Sequence, residues 1–376
     1  MPAGRSDSCA TFPPRPTRPP PVDLPPGLIA GFDAGQTHTT CRLADGRSGV
    51  VRAEGQGPGV SHLAAPEGPQ RFQAALRASL AAALQQLTVG ADPPNPGPVS
   101  IPPPSAGSGG GWEAASPQGP GTLAAAAVGA SGIEIDTAIQ RQGLELAAEA
   151  LGLPFQRLWV GGDERTALRG AFPDGPGIVV ISGTGTIAVG RDGVPSEAGG
   201  REHRCAGWGW MLDGAGSAFD IGRDALSLSL EMADGRRGKG ALWPHLWRAL
   251  ELDPADPLAP QAIKARVVSA GFMPAGLAAL APVVEHLAAG GDRQAGAILE
   301  RNAAALATSV AGVARALGLE APAVAALGGA IGHLATFQAR FGAALRRQLP
   351  RAELVQPAGD AACGALAIAR DRLDPS

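Results

Sequence analysis

Residues 178–222 read IVVISGTGTIAVGRDGVPSEAGGREHRCAGWGWMLDGAGSAFDIG. A β-branched run, Ile178-Val179-Val180-Ile181, stops at Ser182-Gly183-Thr184-Gly185-Thr186, and a second apolar run, Ile187-Ala188-Val189, follows at once. Two strands joined by a Gly/Thr turn make a hairpin whose tip offers backbone N–H groups and hydroxyls, the make-up of a phosphate cradle. The plain alternative is a structural hairpin in which Thr184 and Thr186 satisfy local backbone groups. The closely spaced glycines from Gly207 to Gly216 shift the balance, because they let main chain approach something closely. Ser217 then stands at a helix start, where free N–H groups face an anion.

A similar turn sits near the start of the chain. Leu28-Ile29-Ala30-Gly31-Phe32 reads as a buried strand that runs into Asp33-Ala34-Gly35-Gln36-Thr37-His38-Thr39-Thr40. Asp33 at the strand end could hold a water on Mg²⁺, since a hard cation prefers carboxylate and water oxygens. Thr37 and the backbone from Gly35 to Thr39 could contact phosphate. The alternative is a tight hairpin in which Gly35 supplies a positive φ and Asp33 caps the turn. Two such turns far apart in sequence point to one nucleotide held between two domains.

Composition permits this. The chain has 376 residues, enough for two cores. A net charge of −3 gives no basic field for nucleic acid. Cys9, Cys41, Cys205 and Cys363 form no CxxC and fit neither a zinc site nor a disulfide framework, which favours a reducing cytoplasm. No apolar run has the roughly 20 residues that a membrane helix needs. The expected domains are a disordered Pro-rich tail at 1–26, an N-terminal domain at 27–172 with a disordered Pro/Gly/Ser-rich insertion at 90–121, and a C-terminal domain at 173–376.

Strands are expected at 40–43, 50–54, 123–128, 158–160, 323–327 and 353–356. Helices are expected through Phe72–Leu87, Asp136–Leu151, Thr166–Ala171, Gly216–Met232 and 337–345. Pro274 suits a helix start and Pro282 should kink or split that helix. Asp292 should N-cap a long helix closed by Gly318. Strands and helices recur in similar order in both halves, an α/β pattern with the character of a duplication.

Asp163 ends the strand 158–160 and is the best candidate general base; Glu164 competes for the role, and an N-cap is the structural alternative for Asp163. Gly328-Gly329 after an apolar strand could let an adenine lie against the backbone, although a plain strand–turn–helix connection has the same pattern. Trp208 sits inside the glycine cluster and could wall a pocket.

Taken in order, these pieces resemble the BadF/BadG/BcrA/BcrD-type family of the actin-like ATPase superfamily, with its N-acetylglucosamine and glucosamine kinases. The family's first phosphate motif resembles Asp33–Thr39, and its GTGS motif resembles Gly183–Thr186. Its glycine-rich substrate segment resembles Ala206–Gly222, and its adenosine motif resembles Ala325–Ala330. Its closing helix resembles Gly359-Asp360 with Gly364-Ala365-Leu366-Ala367. The resemblance implies two actin-like (ribonuclease H-like) domains with ATP and Mg²⁺ in the cleft between them, and a last helix, 361–370, packed on the N-terminal domain. It implies that Asp163 takes the proton of a sugar hydroxyl. Gly35, Thr37, Gly183, Thr184, Gly185, Thr186, Gly328 and Gly329 would bind nucleotide, and Asp33 would serve the metal. Ser61, Gly207, Trp208 and Asp213 would line the sugar. Where the family carries two sugar-holding acids, this chain has Gly214 and Ala215, and Asp213 lies one residue early. The partner implied is a small sugar, with no nucleic acid or membrane, and a homodimer is left open. The competing functions are a non-catalytic sugar- or nucleotide-binding regulator and an iron–sulfur activator of an acyl-CoA dehydratase.

Overall fold

A computed structural model describes residues 27–89, 123–194, 200–269 and 271–373. The expectations for the tail at 1–26 and the insertion at 90–121 lie outside the described residues. The first half runs β1 (Leu28–Ala34), β2 (His38–Asp45), β3 (Val51–Pro58), α1 (Gly68–Val89), β4 (Ala125–Ala130), α2 (Ala138–Leu151), β5 (Leu158–Gly161) and α3 (Asp163–Ala171). The second half opens with β6 (Gly177–Ser182), β7 (Thr186–Arg191) and β8 (Glu202–Ala206). Helices α4 (Ala218–Ala233), α5 (Leu242–Ala249), α6 (Ala259–Val268), α7 (Ala275–Ala278), α8 (Ala281–Ala289) and α9 (Arg293–Leu317) follow. The chain then forms β9 (Ala323–Leu327), α10 (Gly329–His333), α11 (Ala335–Gln348), β10 (Glu353–Val355) and α12 (Ala361–Asp371).

Both sheets have five strands built on one plan. The first is ordered β3-β2-β1-β4-β5 and the second β10-β9-β6-β7-β8. In each, an antiparallel hairpin extends to a third antiparallel strand on one side, and two parallel strands lie on the other. Parallel strands covered on both faces call for continuous apolar runs. β4 is buried along its whole length as Ala-Ala-Ala-Val-Gly-Ala, and these small side chains let helices approach from both sides.

One of those helices is α12, from the far end of the sequence. Ala365, Leu366, Ala367 and Ala369 form a buried cluster with Ile29, Ala44, Ala125 and Ala127 of the first sheet. A Cβ on Gly31 would stand 2.5 Å from the backbone nitrogen of Leu366, so only glycine admits the helix at this distance.

The second half is richer in helix. Asp292 caps α9, its carboxylate accepting the N–H groups of Gln294 and Ala295 at 2.9 Å each, and Gly318 closes the helix at φ 69°. Ile298, Leu299, Leu306, Val310, Val313 and Leu317 bury its inner face. Pro282 falls in the first turn of α8 and separates it from α7. Several bounds differ from expectation, among them α4, which starts at Ala218 behind Ser217 rather than at Gly216, and β4, which spans Ala125–Ala130 rather than 123–128. α3 starts at Asp163 rather than Thr166, with Gly162 as its N-cap. β8, α5, α6 and α10 have no counterpart among the expected elements.

Candidate active site

The two hairpin tips and the carboxyl ends of the parallel strands are the places where such sheets build sites. At the first tip Ala34 pairs with Thr39, and the N–H of Gly35 donates to the carbonyl of His38 at 3.1 Å. The loop after β3 leans on this tip, the N–H of Val60 donating to the carbonyl of Gly35 at 2.9 Å. Ser61 is partly buried in that loop, and Thr37 is exposed. Gly35 has no positive φ, so the turn does not need glycine for conformational reasons.

At the second tip Ser182 pairs with Thr186, and Gly183 donates to the carbonyl of Gly185 at 2.9 Å. Thr184 and Gly185 are exposed. A Cβ on Gly183 or Gly185 would meet nothing within 4 Å, and neither has a positive φ. Neither packing nor backbone geometry therefore calls for glycine here; what the glycines do is keep the tip bare. The tip is anchored from behind. The Ser182 hydroxyl donates to the carbonyl of Gly216 at 2.6 Å, and Ala218 N–H donates to the carbonyl of Gly183 at 2.8 Å. Gly216 N–H reaches Asn302 Oδ1 of α9 at 3.0 Å. Ser217 N-caps α4, accepting from Asp220 N–H at 3.1 Å. Each tip carries one buried hydroxyl with no hydrogen-bond partner among the described residues, Thr39 Oγ1 and Thr186 Oγ1. An orphaned buried hydroxyl costs roughly 1–3 kcal/mol.

At the strand ends, Asp33 of β1 lies level with Gly129 of β4, and Gly129 with Gly161 of β5. Asp163 follows two residues on, as the first residue of α3. Its side chain does not cap the helix, whose N-cap is Gly162. Burial pushes the Asp163 carboxyl up to about 7, and the charges of Glu164 and Asp33 add to the rise. Glu164 is buried and its carboxyl is raised as well, chiefly by desolvation. Asp33 is raised by burial and then by Asp360, while His38 and Arg42 act in the opposite direction.

Asp360 had not been singled out for the site. It N-caps α12, accepting from Cys363 N–H at 2.9 Å, and is gripped by Arg42 of β2 through two bonds of 2.5 and 2.7 Å. Arg42 is itself buried and also holds Glu54 of β3 at 2.6 Å. Burial works to raise the Asp360 carboxyl, but the Arg42 bonds prevail and hold it below the usual range. The Gly359-Asp360 pair ahead of a small-residue helix was the available signal.

The segment after β8 presents Gly207 and Trp208, the latter 62% exposed. The guanidinium of Arg204 lies 4.5 Å from the Trp208 ring centroid and pairs with Glu134, in the segment after β4, at 2.9 Å. Asp213 is partly buried; its N–H donates to the carbonyl of Gly209 at 2.8 Å, and its carboxylate has no hydrogen bond or ion pair among the described residues. Gly328 and Gly329 are exposed at the end of β9. Gly328 has φ 96°, and a Cβ there would stand 2.5 Å from the carbonyl oxygen of Ser182, so this glycine brings the end of β9 against the base of the second tip. The fold thus gathers Asp33, Asp163 and Asp360 around one end of the first sheet, and Gly183–Thr186, Gly216-Ser217 and Gly328 around the matching end of the second.

A family model described as the BadF/BadG/BcrA/BcrD ATPase family matches residues 30–369, and the chain belongs to that family. The N-acetylmuramic acid/N-acetylglucosamine kinase of Clostridium acetobutylicum is 30% identical over 214 residues, which are 56% of this chain and 67% of that protein. A candidate N-acetylglucosamine kinase from Chromobacterium violaceum has a solved structure that superposes with a TM-score of 0.63 at 28% identity, over 91% of this chain and 98% of that one. A second, from Porphyromonas gingivalis, gives a TM-score of 0.61 at 16% identity over 93% and 99% of the two chains and shares the fold. The two-domain actin-like architecture is therefore that of this chain. No helix among the described residues is long and apolar enough to cross a membrane.

Proposed function

We propose that the protein transfers the γ-phosphoryl group of ATP to a hydroxyl of an amino sugar, N-acetylglucosamine foremost, with Asp163 as general base. The observation that carries this reading is the placement of Asp163, a carboxylate at the start of α3 just past the end of β5 and beside Asp33 and Glu164; burial pushes it up to about 7, which suits a base working at neutral pH. The relatives, both by sequence and by structure, support the substrate class. The division into domains at 27–172 and 173–376 belongs to the same proposal, as does a cytoplasmic site of action where ATP is plentiful.

In this reading the phosphates lie between the two tips, against Gly35 and Thr37 on one side and Gly183, Thr184, Gly185 and Thr186 on the other. The bare glycine tip allows close approach, and movement of the tips toward the phosphates would give Thr39 and Thr186 the partners they lack. Gly328 and Gly329 would face the adenine. The first sheet's end suits a hydrated cation: the Asp33 carboxylate lies near those of Asp360 and Asp163, and Arg42 is already engaged by Asp360 and Glu54, so a cation held by Asp33 through water would fit there. Asp33 would hold the hydrated Mg²⁺ there, which when bound supplies positive charge against the charge that gathers during transfer. Ser61, Gly207, Trp208 and Asp213 would surround the sugar, Asp213 standing in for the acids replaced by Gly214 and Ala215. Asp163 would accept the hydroxyl proton as the oxygen attacks, and closure of the cleft would exclude water.

The test is ADP release from ATP against a panel of hexoses, amino sugars and N-acetylated amino sugars. An N-acetylated amino sugar should be turned over best, and Asp163→Asn should lower its kcat by at least about 100-fold. Full activity in that variant, or turnover of no sugar by the parent protein, would refute the proposal.

A further inference from the structure

β8 is the edge strand of the second sheet, yet its polar side chains do not simply face water. Glu202 pairs with Arg165 of α3, and Arg204 pairs with Glu134 after β4. Both pairs run from the second half of the chain to the first, and their polarity alternates: acid on β8 in one, base on β8 in the other. The side chains of Arg165, Glu202 and Arg204 are 29%, 28% and 18% exposed while that of Glu134 is 49% exposed, so the Arg165–Glu202 pair is the better shielded of the two. Glu202 and Arg204, two apart on a strand, project from the same face. A slip of β8 by two residues would set Arg204 against Arg165, so the alternation specifies one register. The two ends of this arrangement are the parts of the proposed site that must meet. Arg165 is two residues beyond Asp163, and Arg204 stacks on Trp208.

We infer that Arg165 and Arg204 are positioning residues, which fasten β8 across the cleft so that the sugar wall at Gly207-Trp208 is held in register with the helix that carries Asp163. The inference rests on the sugar-kinase reading of the site. It predicts that the crossing pairs weigh more on affinity for the sugar than on affinity for the nucleotide, because the tip at Gly183–Thr186, although β7 next to it pairs with β8, is also anchored from behind by Ser182, Gly216 and Asn302.

The experiment reverses one pair. Arg165→Glu, Glu202→Arg and the double variant are assayed for sugar KM, ATP KM and kcat, together with hydrogen exchange of the β8 amides in the full chain. Each single reversal should raise the sugar KM about fivefold, keep the ATP KM within about twofold and speed exchange in 202–206. The double reversal should return sugar KM and exchange to within about twofold of the parent, since the pair is restored with its charges swapped. Arg204→Lys, which keeps charge but weakens stacking on the indole, should keep β8 protected while raising the sugar KM. Additive effects in the double variant, or unchanged exchange in the singles, would overturn the inference. Should the parent protein turn over no sugar, the kinase reading fails by itself, and the exchange data still decide whether the pairs fasten β8.

Discussion

Replacing Asp163 by asparagine should slow catalysis and strengthen the fold in a single step. An aspartate in an unfolded chain titrates near pH 4, whereas Asp163 in the folded protein titrates at about 7 because burial and the neighbouring charges of Glu164 and Asp33 oppose ionisation. Between those values the folded state binds a proton that the unfolded state has released. Above the folded value both states are ionised, and the folded state carries the full unfavourable energy of its charged carboxylate. A displacement of about three pKa units at 1.36 kcal/mol each amounts to ~4 kcal/mol at about pH 8, an upper figure that solvent reaching the partly exposed group will lower. By about pH 5 the folded carboxyl is protonated and the difference shrinks to roughly 1–2 kcal/mol. Asparagine is close in shape to the protonated form and escapes the penalty at every pH. Urea unfolding of both proteins at several pH values reads the effect directly: the variant should be the more stable near pH 8, with a gap that narrows as pH falls. A gap that does not vary with pH, or a less stable variant at pH 8, would show that the carboxyl is not desolvated and remove the physical basis for its role as a neutral-pH base. The same titration should appear in kcat/KM of the parent protein as an acidic limb that falls away below about pH 7.

Other substitutions separate the parts of the site. Thr186→Val removes a buried hydroxyl with no partner, so the ligand-free melting temperature should hold or rise by the equivalent of up to ~1 kcal/mol, while the ATP KM rises about tenfold or more. Gly183→Ala points a methyl into open space and should change stability by less than ~0.5 kcal/mol yet weaken ATP binding, measured by calorimetry. Gly328→Ala, with φ 96° and the Ser182 carbonyl in the way, should lose more than ~2 kcal/mol of stability before binding is considered. Arg42→Met would leave Asp360 and Glu54 without their cation and should destabilise the fold by roughly 3–5 kcal/mol in chemical denaturation.

What could be read in the sequence was whatever depends on neighbouring residues. The hairpins at Asp33–Thr39 and Gly183–Thr186 announce themselves by an apolar run stopping at glycine, and α9 by a capping aspartate and a closing glycine in register with its apolar stripe. β8 carries no strand signal because Glu-His-Arg-Cys-Ala does not alternate apolar with polar: the strand sits at an edge, where Glu202 and Arg204 serve ion pairs and Cys205 alone packs toward the core. α3 begins earlier than Thr166 because Gly162 caps it through backbone geometry alone, with no side chain to signal the position. Arg42 and Asp360 are 318 positions apart. Neither residue's local pattern hints at the other, so this clamp next to Asp33 becomes visible only when α12 is seen lying on β1.

That placement of α12 also bears on how the protein is made. A ribosome releases β1 to β5 long before residues 361–371, so the face of the first sheet that holds Ile29 and Ala127 emerges without its cover. The first domain therefore stays unfinished through most of translation, and its completion waits on the second domain delivering the helix to it. Folding order is in this sense circular: the earliest sheet is sealed by the latest helix, and an isolated fragment ending near residue 172 would carry an open apolar face.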